Sequence, residues 1–180
     1  MKRGFFLDRD GVVNKTILMN GIPLPPRNLD ELEILKGVPE AISLLKENNL
    51  IPVVISNQPD VARNKLSLSQ LKIVNQEISK LTGIQHFYVC IHDDIDDCDC
   101  RKPKIGLLKN AAADLDIDIS KSYLVGDRWR DISAGHQAGT TNYFIDYAYS
   151  EKGPEKPYTK VGSLLEAVQR TIGVAGASNP

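Results

Sequence analysis

Residues 4–11 read Gly4-Phe5-Phe6-Leu7-Asp8-Arg9-Asp10-Gly11. The apolar half is a buried strand, and Asp8 cuts it off. Side chains on an extended backbone alternate in direction, so Asp8 and Asp10 project to one side just past the strand's carboxyl end. Two carboxylates that close repel unless a cation or a shared proton relieves them. The pair suits a site where one carboxylate holds a hard metal and attacks while the other carries a proton. A lone D-x-D is more often a solvated loop, so the rest of the chain has to decide.

Working outward, Ile51-Pro52-Val53-Val54-Ile55 is a second strand, stopped at Ser56. Phe87 to Val89, Tyr123 to Val125 and Tyr143 to Ile145 are further candidates. Helical patterns lie between them over Val38 to Asn48, Ser67 to Leu81, Ile105 to Leu115, Asp131 to Ala138 and Ser163 to Ile172. Ser67-x-x-Gln70 and Ser163-x-x-Glu166 have capping-box spacing, which marks two helix starts. Strands that alternate with helices and are apolar almost throughout predict an α/β fold. It is a single-domain α/β/α sandwich around a parallel sheet, with ligands held beyond the carboxyl ends of the strands. The domain is expected over 1–172, with Pro23 to Pro26 and Glu151 to Pro157 as surface loops and 173–180 as a disordered tail. The gaps after the first and second strands leave no room for a separate cap domain, which predicts an open site.

The bulk composition agrees. With 180 residues and 42% hydrophobic content the chain supplies one core, and 22 basic against 23 acidic residues leave a formal charge of -1. No summed field draws it to nucleic acid or a membrane surface, so any attraction for an anion is local. The stretch before Asp8 is too short for a signal-peptide core and no run spans a bilayer, which predicts a cytoplasmic protein, expected to act as a monomer on a small molecule.

Three more elements follow predicted strands. Ser56-Asn57 ends the second, Lys102-Pro103 lies beyond the third, and Gly126-Asp127-Arg128-Trp129-Arg130-Asp131 follows the fourth. Each alone is an ordinary turn or a solvated lysine, but the chain can bring all of them to one crevice.

The cysteine segment reads Cys90-Ile91-His92-Asp93-Asp94-Ile95-Asp96-Asp97-Cys98-Asp99-Cys100. Cys90, His92, Cys98 and Cys100 form a closed Cys3His set, the pattern of structural rather than catalytic zinc, and soft sulfur ligands exclude magnesium. Buried or redox cysteines are the plain alternative, which leaves His92 a coincidence. The acids between His92 and Cys98 read as a solvated loop. The set ends directly at Arg101-Lys102-Pro103, so the metal pins the backbone that presents Lys102.

Asp8-x-Asp10-Gly11, Ser56, Lys102 and Gly126-Asp127-x-x-x-Asp131 resemble, in order, the motifs of the haloacid dehalogenase superfamily, over roughly residues 4 to 147. The resemblance implies a magnesium-dependent phosphatase that works through an aspartyl-phosphate. Asp8 matches the nucleophile and Asp10 the general acid and base, while Ser56 and Lys102 match the phosphate-holding positions. Asp8, the backbone carbonyl of Asp10, and Asp127 match the magnesium ligands, with Asp131 supporting them. The cysteine string and Phe6 to Asn14 narrow the likeness to the heptose-bisphosphate and histidinol-phosphate phosphatases of that superfamily. There the positions matching Arg101 and Arg128 help recognise substrate, and Asn57 is taken with them. Pro59 to Asn64 and the short zinc loop depart from the heptose pattern, which predicts a different pocket rim. Arg63 and Arg130 are further candidates for a second anion. A zinc-stabilised binding module without catalysis is the non-enzyme alternative.

Overall fold

The computed structural model describes residues 1–173, so all of the expected disordered tail except Gly173 lies outside the described residues. Six strands form one parallel sheet: β1 (Arg3–Leu7), β4 (Leu50–Asn57), β5 (His86–Cys90), β6 (Tyr123–Gly126), β7 (Thr141–Ile145) and β8 (Thr159–Val161). Their order across the sheet is β5-β4-β1-β6-β7-β8. The helices α1 (Val38–Glu47), α2 (Leu68–Thr82), α3 (Gly106–Leu115), α4 (Trp129–Ala138) and α5 (Leu164–Ile172) cover both faces.

Strand alternation divides the core. Phe5, Leu7 and Val54 point to one face and meet Ile42 and Leu45 of α1, Ile78 of α2 and Val168 of α5. Phe6, Val53, Ile55 and Leu124 point to the other, against Leu108 of α3 and Ile132 of α4. Strands apolar on both sides are what a sheet buried between two helical layers requires. Because β1 lies inside the sheet with every strand parallel, Asp8 emerges between the carboxyl ends of its neighbours β4 and β6.

The structure corrects three expectations. The segment around Pro23 is not a plain loop: β2 (Ile17–Met19) and β3 (Ile22–Leu24) pair as an antiparallel hairpin, with Met19 opposite Ile22. The turn between them is Asn20-Gly21, at φ 53° and 76°, the left-handed pair a two-residue hairpin needs. The short edge strand β8 also had no place in the sequence pattern. The capping box at Ser67 is complete, whereas at Ser163 only half forms: Ser163 accepts from the Glu166 amide, but the Glu166 carboxylate takes the Gly162 amide instead. No part of the chain forms a separate cap domain among the described residues. No described helix is long and apolar enough to cross a membrane.

Candidate active site

Asp8, Asp10, Asn57, Lys102, Asp127 and Asp131 line one cleft at the carboxyl end of the sheet, with a volume of about 290 Å³. β1 delivers Asp8, whose amide donates to the Val125 carbonyl of β6 (3.0 Å) and so fixes it at the strand's end. Lys102 arrives from the loop after β5. Its ammonium donates to Asp8 Oδ1 (2.8 Å), Asp131 Oδ1 (2.7 Å) and the Ile55 carbonyl (2.7 Å). All three hydrogens are engaged, so Lys102 orients Asp8 here.

The charge balance is unequal. Asp8, Asp127 and Asp131 offer carboxylate oxygens within 4.8 Å of one another, and Lys102 is the cation among them. Burial, then the Asp131 carboxylate, pushes Asp8 up to about 6 against the pull of Lys102. Burial and the neighbouring Asp8 and Asp131 carboxylates likewise hold Asp127 well above the usual carboxylate range. Burial alone works against the charge on Lys102, but Asp131 and Asp8 outweigh it and raise its ammonium. Asp127 Oδ1 is buried and has no partner among the described residues, while its Oδ2 accepts from Tyr149 Oη (2.8 Å). A hard cation beside Asp8 and Asp127 relieves both the repulsion and the orphaned oxygen, so the residues present fit magnesium.

Asp10 stands apart from this set. Arg9 donates to it from Nε (3.2 Å) and Nη2 (3.0 Å), Asn14 Nδ2 at 2.9 Å and Gln58 Nε2 at 2.7 Å. Arg9 is fully buried and also donates to Asn75 Oδ1 of α2 (2.9 Å). These donors fix where the Asp10 carboxylate points. Sequence reasoning missed Arg9, Gln58 and Asn75. Arg9 lies between the two named aspartates, but nothing local tells a buried arginine from a solvated one.

The remaining expected residues fall as follows. Ser56 is buried, its Oγ accepting from Gln58 Nε2 (2.8 Å), and it lies behind the cleft wall that Asn57 lines. Both ends of the Asn57 amide grip the backbone of Lys102: Nδ2 donates to its carbonyl and Oδ1 accepts from its amide, each at 3.0 Å. Asp131, besides meeting Lys102, accepts the Arg128 amide at 3.0 Å and so caps α4. Gly11, at φ 89°, has no room for a side chain, since a Cβ there meets Asp127 Oδ2 at 2.0 Å.

Arg63, Arg101, Arg128 and Arg130 all reach the cleft. Arg128 pairs with Glu151, which was missed in a segment read as a plain surface loop, and Tyr149 just before that segment was missed as well. The acids of the cysteine segment are not merely a solvated loop, which corrects that expectation. Asp93 accepts from Arg63 Nε and Nη2 (both 2.6 Å), and Asp94 accepts from Arg101 Nε (2.8 Å) and Arg130 Nη1 (2.9 Å). These arginines come from three separate segments, a convergence that spacing along the chain does not reveal.

The four ligand atoms of Cys90, His92, Cys98 and Cys100 also lie within 4.8 Å of one another. Cys90 and Cys98 sulfurs are 3.6 Å apart, Cys98 and Cys100 3.5 Å, and His92 Nδ1 is 3.5 Å from Cys90 and 3.3 Å from Cys100. A tetrahedron with bonds of about 2.3 Å has edges of about 3.8 Å. The set therefore fits zinc with little movement.

This architecture, with acids at the end of a central parallel strand, has known counterparts. The model of the haloacid dehalogenase-like hydrolases matches residues 26–139, a stretch that includes Ser56, Lys102 and Asp127 and begins beyond Asp8. The chain belongs to that family and is an enzyme of the hydrolase class. Among curated relatives, the D-glycero-beta-D-manno-heptose-1,7-bisphosphate 7-phosphatase of Haemophilus ducreyi is 29% identical over 182 residues, covering 93% of this chain and 97% of the relative. That of Pasteurella multocida is 32% identical over 153 residues, covering 79% and 80%. The crystal structure of D,D-heptose 1.7-bisphosphate phosphatase from B. bronchiseptica, complexed with magnesium and phosphate, superposes with a TM-score of 0.84 at 24% identity. It covers 96% of this chain and 99% of that one.

Proposed function

We propose that the chain is a phosphomonoesterase that removes the 7-phosphate of D-glycero-D-manno-heptose 1,7-bisphosphate through an aspartyl-phosphate on Asp8. The observation that carries the proposal is the junction of two features in one cleft. Asp8 and Asp10 stand at its floor, and Arg101 and Arg130 stand at its rim.

Asp8 Oδ2 has no hydrogen-bond partner among the described residues while Lys102 holds Oδ1, so the reacting oxygen is oriented without being consumed. Asp8 attacks phosphorus, the bond from phosphorus to the sugar oxygen breaks, and Asp10 supplies the proton that oxygen takes up. Asp10 then takes a proton from water, which attacks the aspartyl-phosphate, releasing inorganic phosphate and restoring both acids. Its four donors keep the Asp10 carboxylate aimed through both half-reactions. Asp8, the Asp10 carbonyl and Asp127 would hold magnesium, which when bound would keep Asp8 ionised and neutralise charge on the transferring group. Asp131 holds Lys102 from behind, and Asn57 fixes its backbone.

Cys90, His92, Cys98 and Cys100 would hold a zinc ion with all four positions filled by the protein, which would staple the loop that ends at Lys102. The protein acts in the cytoplasm as a monomer, on a small phosphorylated metabolite.

Histidinol phosphate is the competing substrate, and it brings an ammonium group where the rim presents guanidinium groups. Phosphate release from the heptose bisphosphate and from histidinol phosphate, with magnesium present, separates them. The proposal expects kcat/KM to favour the bisphosphate by at least about tenfold, roughly 1.4 kcal/mol. Equal or reversed preference overturns the substrate assignment and leaves the chemistry at Asp8 standing.

A further inference from the structure

The three acids Asp8, Asp127 and Asp131 gather at the floor of the cleft, and they are not held alike. Asp8 and Asp131 each take the Lys102 ammonium, and Asp131 takes the Arg128 amide as well. Asp127 has no such cation against it. Among the described residues its carboxylate has a single hydrogen-bond partner, the Tyr149 hydroxyl, which donates to Oδ2 at 2.8 Å while Oδ1 is buried with none. The residue is only 2% exposed, so the hydroxyl is the group on the page that sets the rotation of this carboxylate.

The hydroxyl is itself aimed. A tyrosine has one hydrogen to give and lone pairs with which to accept. Because Asp127 takes that hydrogen, the Thr16 hydroxyl, 3.2 Å from Tyr149 Oη, is the donor in its own contact with the tyrosine. Thr16 lines the cleft just before β2, so a chain of hydrogen bonds runs from the cleft wall through Tyr149 to Asp127. The Tyr149 ring stacks on Tyr147 with centroids 5.5 Å apart, and the Arg128 guanidinium stands over it at 5.7 Å. The Tyr147 hydroxyl in turn donates to the Gly11 carbonyl at 3.0 Å. Two tyrosines two residues apart thus tie the stretch after β7 to both sides of the close approach between Gly11 and Asp127.

A neutral donor at this place matters chemically. An arginine or lysine would cancel the charge of Asp127 and compete with a metal cation, whereas a hydroxyl fixes one oxygen and leaves the negative charge for the ion. We propose that Tyr149 is a positioning residue for the magnesium site, the hydroxyl that ties down Asp127 Oδ2 so that Oδ1 is presented to the cation. The inference rests on the reading of Asp127 as a magnesium ligand and deepens it. Tyr149 does not line the cleft and acts through Asp127.

The test reads magnesium binding directly, by isothermal titration calorimetry with magnesium chloride on the 180-residue chain freed of magnesium. It compares wild type, Tyr149→Phe, Thr16→Val, Tyr147→Phe, Asp127→Ala and the double variant Thr16→Val/Tyr149→Phe, each after a thermal melt. Turnover of the heptose bisphosphate against magnesium concentration is the second readout. Tyr149→Phe is expected to raise the Kd for magnesium about tenfold while kcat at saturating magnesium stays within about threefold of wild type. Thr16→Val, which keeps the ring in place, is expected to raise Kd about threefold, and Tyr147→Phe to stay within about twofold. The double variant binds no more weakly than Tyr149→Phe, because both substitutions cut the same chain of hydrogen bonds. Where Tyr149→Phe does not fold, Thr16→Val decides alone. If Asp127→Ala loses magnesium while Tyr149→Phe and Thr16→Val bind it as wild type does, the inference fails and Asp127 remains a ligand. If Tyr147→Phe weakens binding as much as Tyr149→Phe, the segment acts only as packing and the inference is equally overturned. If Asp127→Ala binds magnesium as tightly as wild type, the ligand reading and the inference fail together.

Discussion

Arg9 carries more of the site than its neighbours in the sequence suggest. Its guanidinium is fully buried, donates from Nε and Nη2 to Asp10 and from Nη1 to Asn75, and so links Asp10, the proposed acid and base, to α2. A buried cation persists only where partners satisfy it, and here those partners double as the frame that aims Asp10. Arg9→Met removes the frame but keeps most of the volume. It is expected to lower kcat on the order of 10²-fold, because a misplaced proton donor loses its near-attack geometry. It is also expected to destabilise the fold by roughly 1–3 kcal/mol, since Asn75 and Asp10 lose donors. Steady-state kinetics well below the variant's melting temperature separate the two effects, and an unchanged kcat removes Arg9 from the positioning of Asp10. Asp10, beyond the end of β1, stands apart from the set around Asp8, but Asp8 was legible in the sequence because the strand's end places it. Arg9 was not, because burial of a charge depends on what folds over it.

Between elements, backbone fit matters as much as side-chain chemistry. The turn after β1 brings Gly11 so close to Asp127, at the end of β6, that a methyl group would lie 2.0 Å from its carboxylate, and φ 89° disfavours any L side chain. Gly11→Ala is therefore expected to push Asp127 aside, raising the magnesium concentration for half-maximal turnover at least about tenfold and destabilising the fold by about 1–3 kcal/mol. Titration of activity against magnesium, with a thermal melt, checks both; wild-type magnesium dependence contradicts the placement of Asp127 as a ligand. The loop after β5 has two anchors. Sequence spacing showed one, the cysteine set that leads into Lys102, while the other, the Asn57 amide on the Lys102 backbone, appears only when β4 and β5 are side by side. With both anchors in place, Cys98→Ser is expected to lower zinc content and melting temperature but to reduce kcat less than Asn57→Ala does, assayed where both variants are folded. The reverse order makes zinc the dominant support of Lys102. The same limit explains the hairpin: Asn20-Gly21 is a strong local turn signal, but Pro23 beside it draws the eye to a loop.

At the scale of the whole molecule, the order β5-β4-β1-β6-β7-β8 is what turns scattered residues into a site. Strands distant along the chain end side by side, so Asp8, Asn57, Lys102 and Asp127 share one cleft although more than a hundred residues separate the first from the last. The layered parallel sheet was legible because strands buried on both faces must be apolar throughout, and the floor of the cleft followed from it. The rim was not: Arg63, Arg101 and Arg130 find Asp93 and Asp94 across three segments, and the hairpin supplies Ile22 and Leu24 as an apolar wall. Everything assigned to the cleft depends on Asp8 as the atom that receives phosphate. The direct measurement is an acid quench during turnover of bisphosphate labelled with 32P at the 7-position, followed by peptide mapping. The account predicts label on the peptide that contains Asp8, discharged by hydroxylamine as an acyl phosphate must be, and absent from Asp8→Asn, which shows no turnover. Turnover without a labelled peptide, label on another residue, or substantial activity in Asp8→Asn contradicts it.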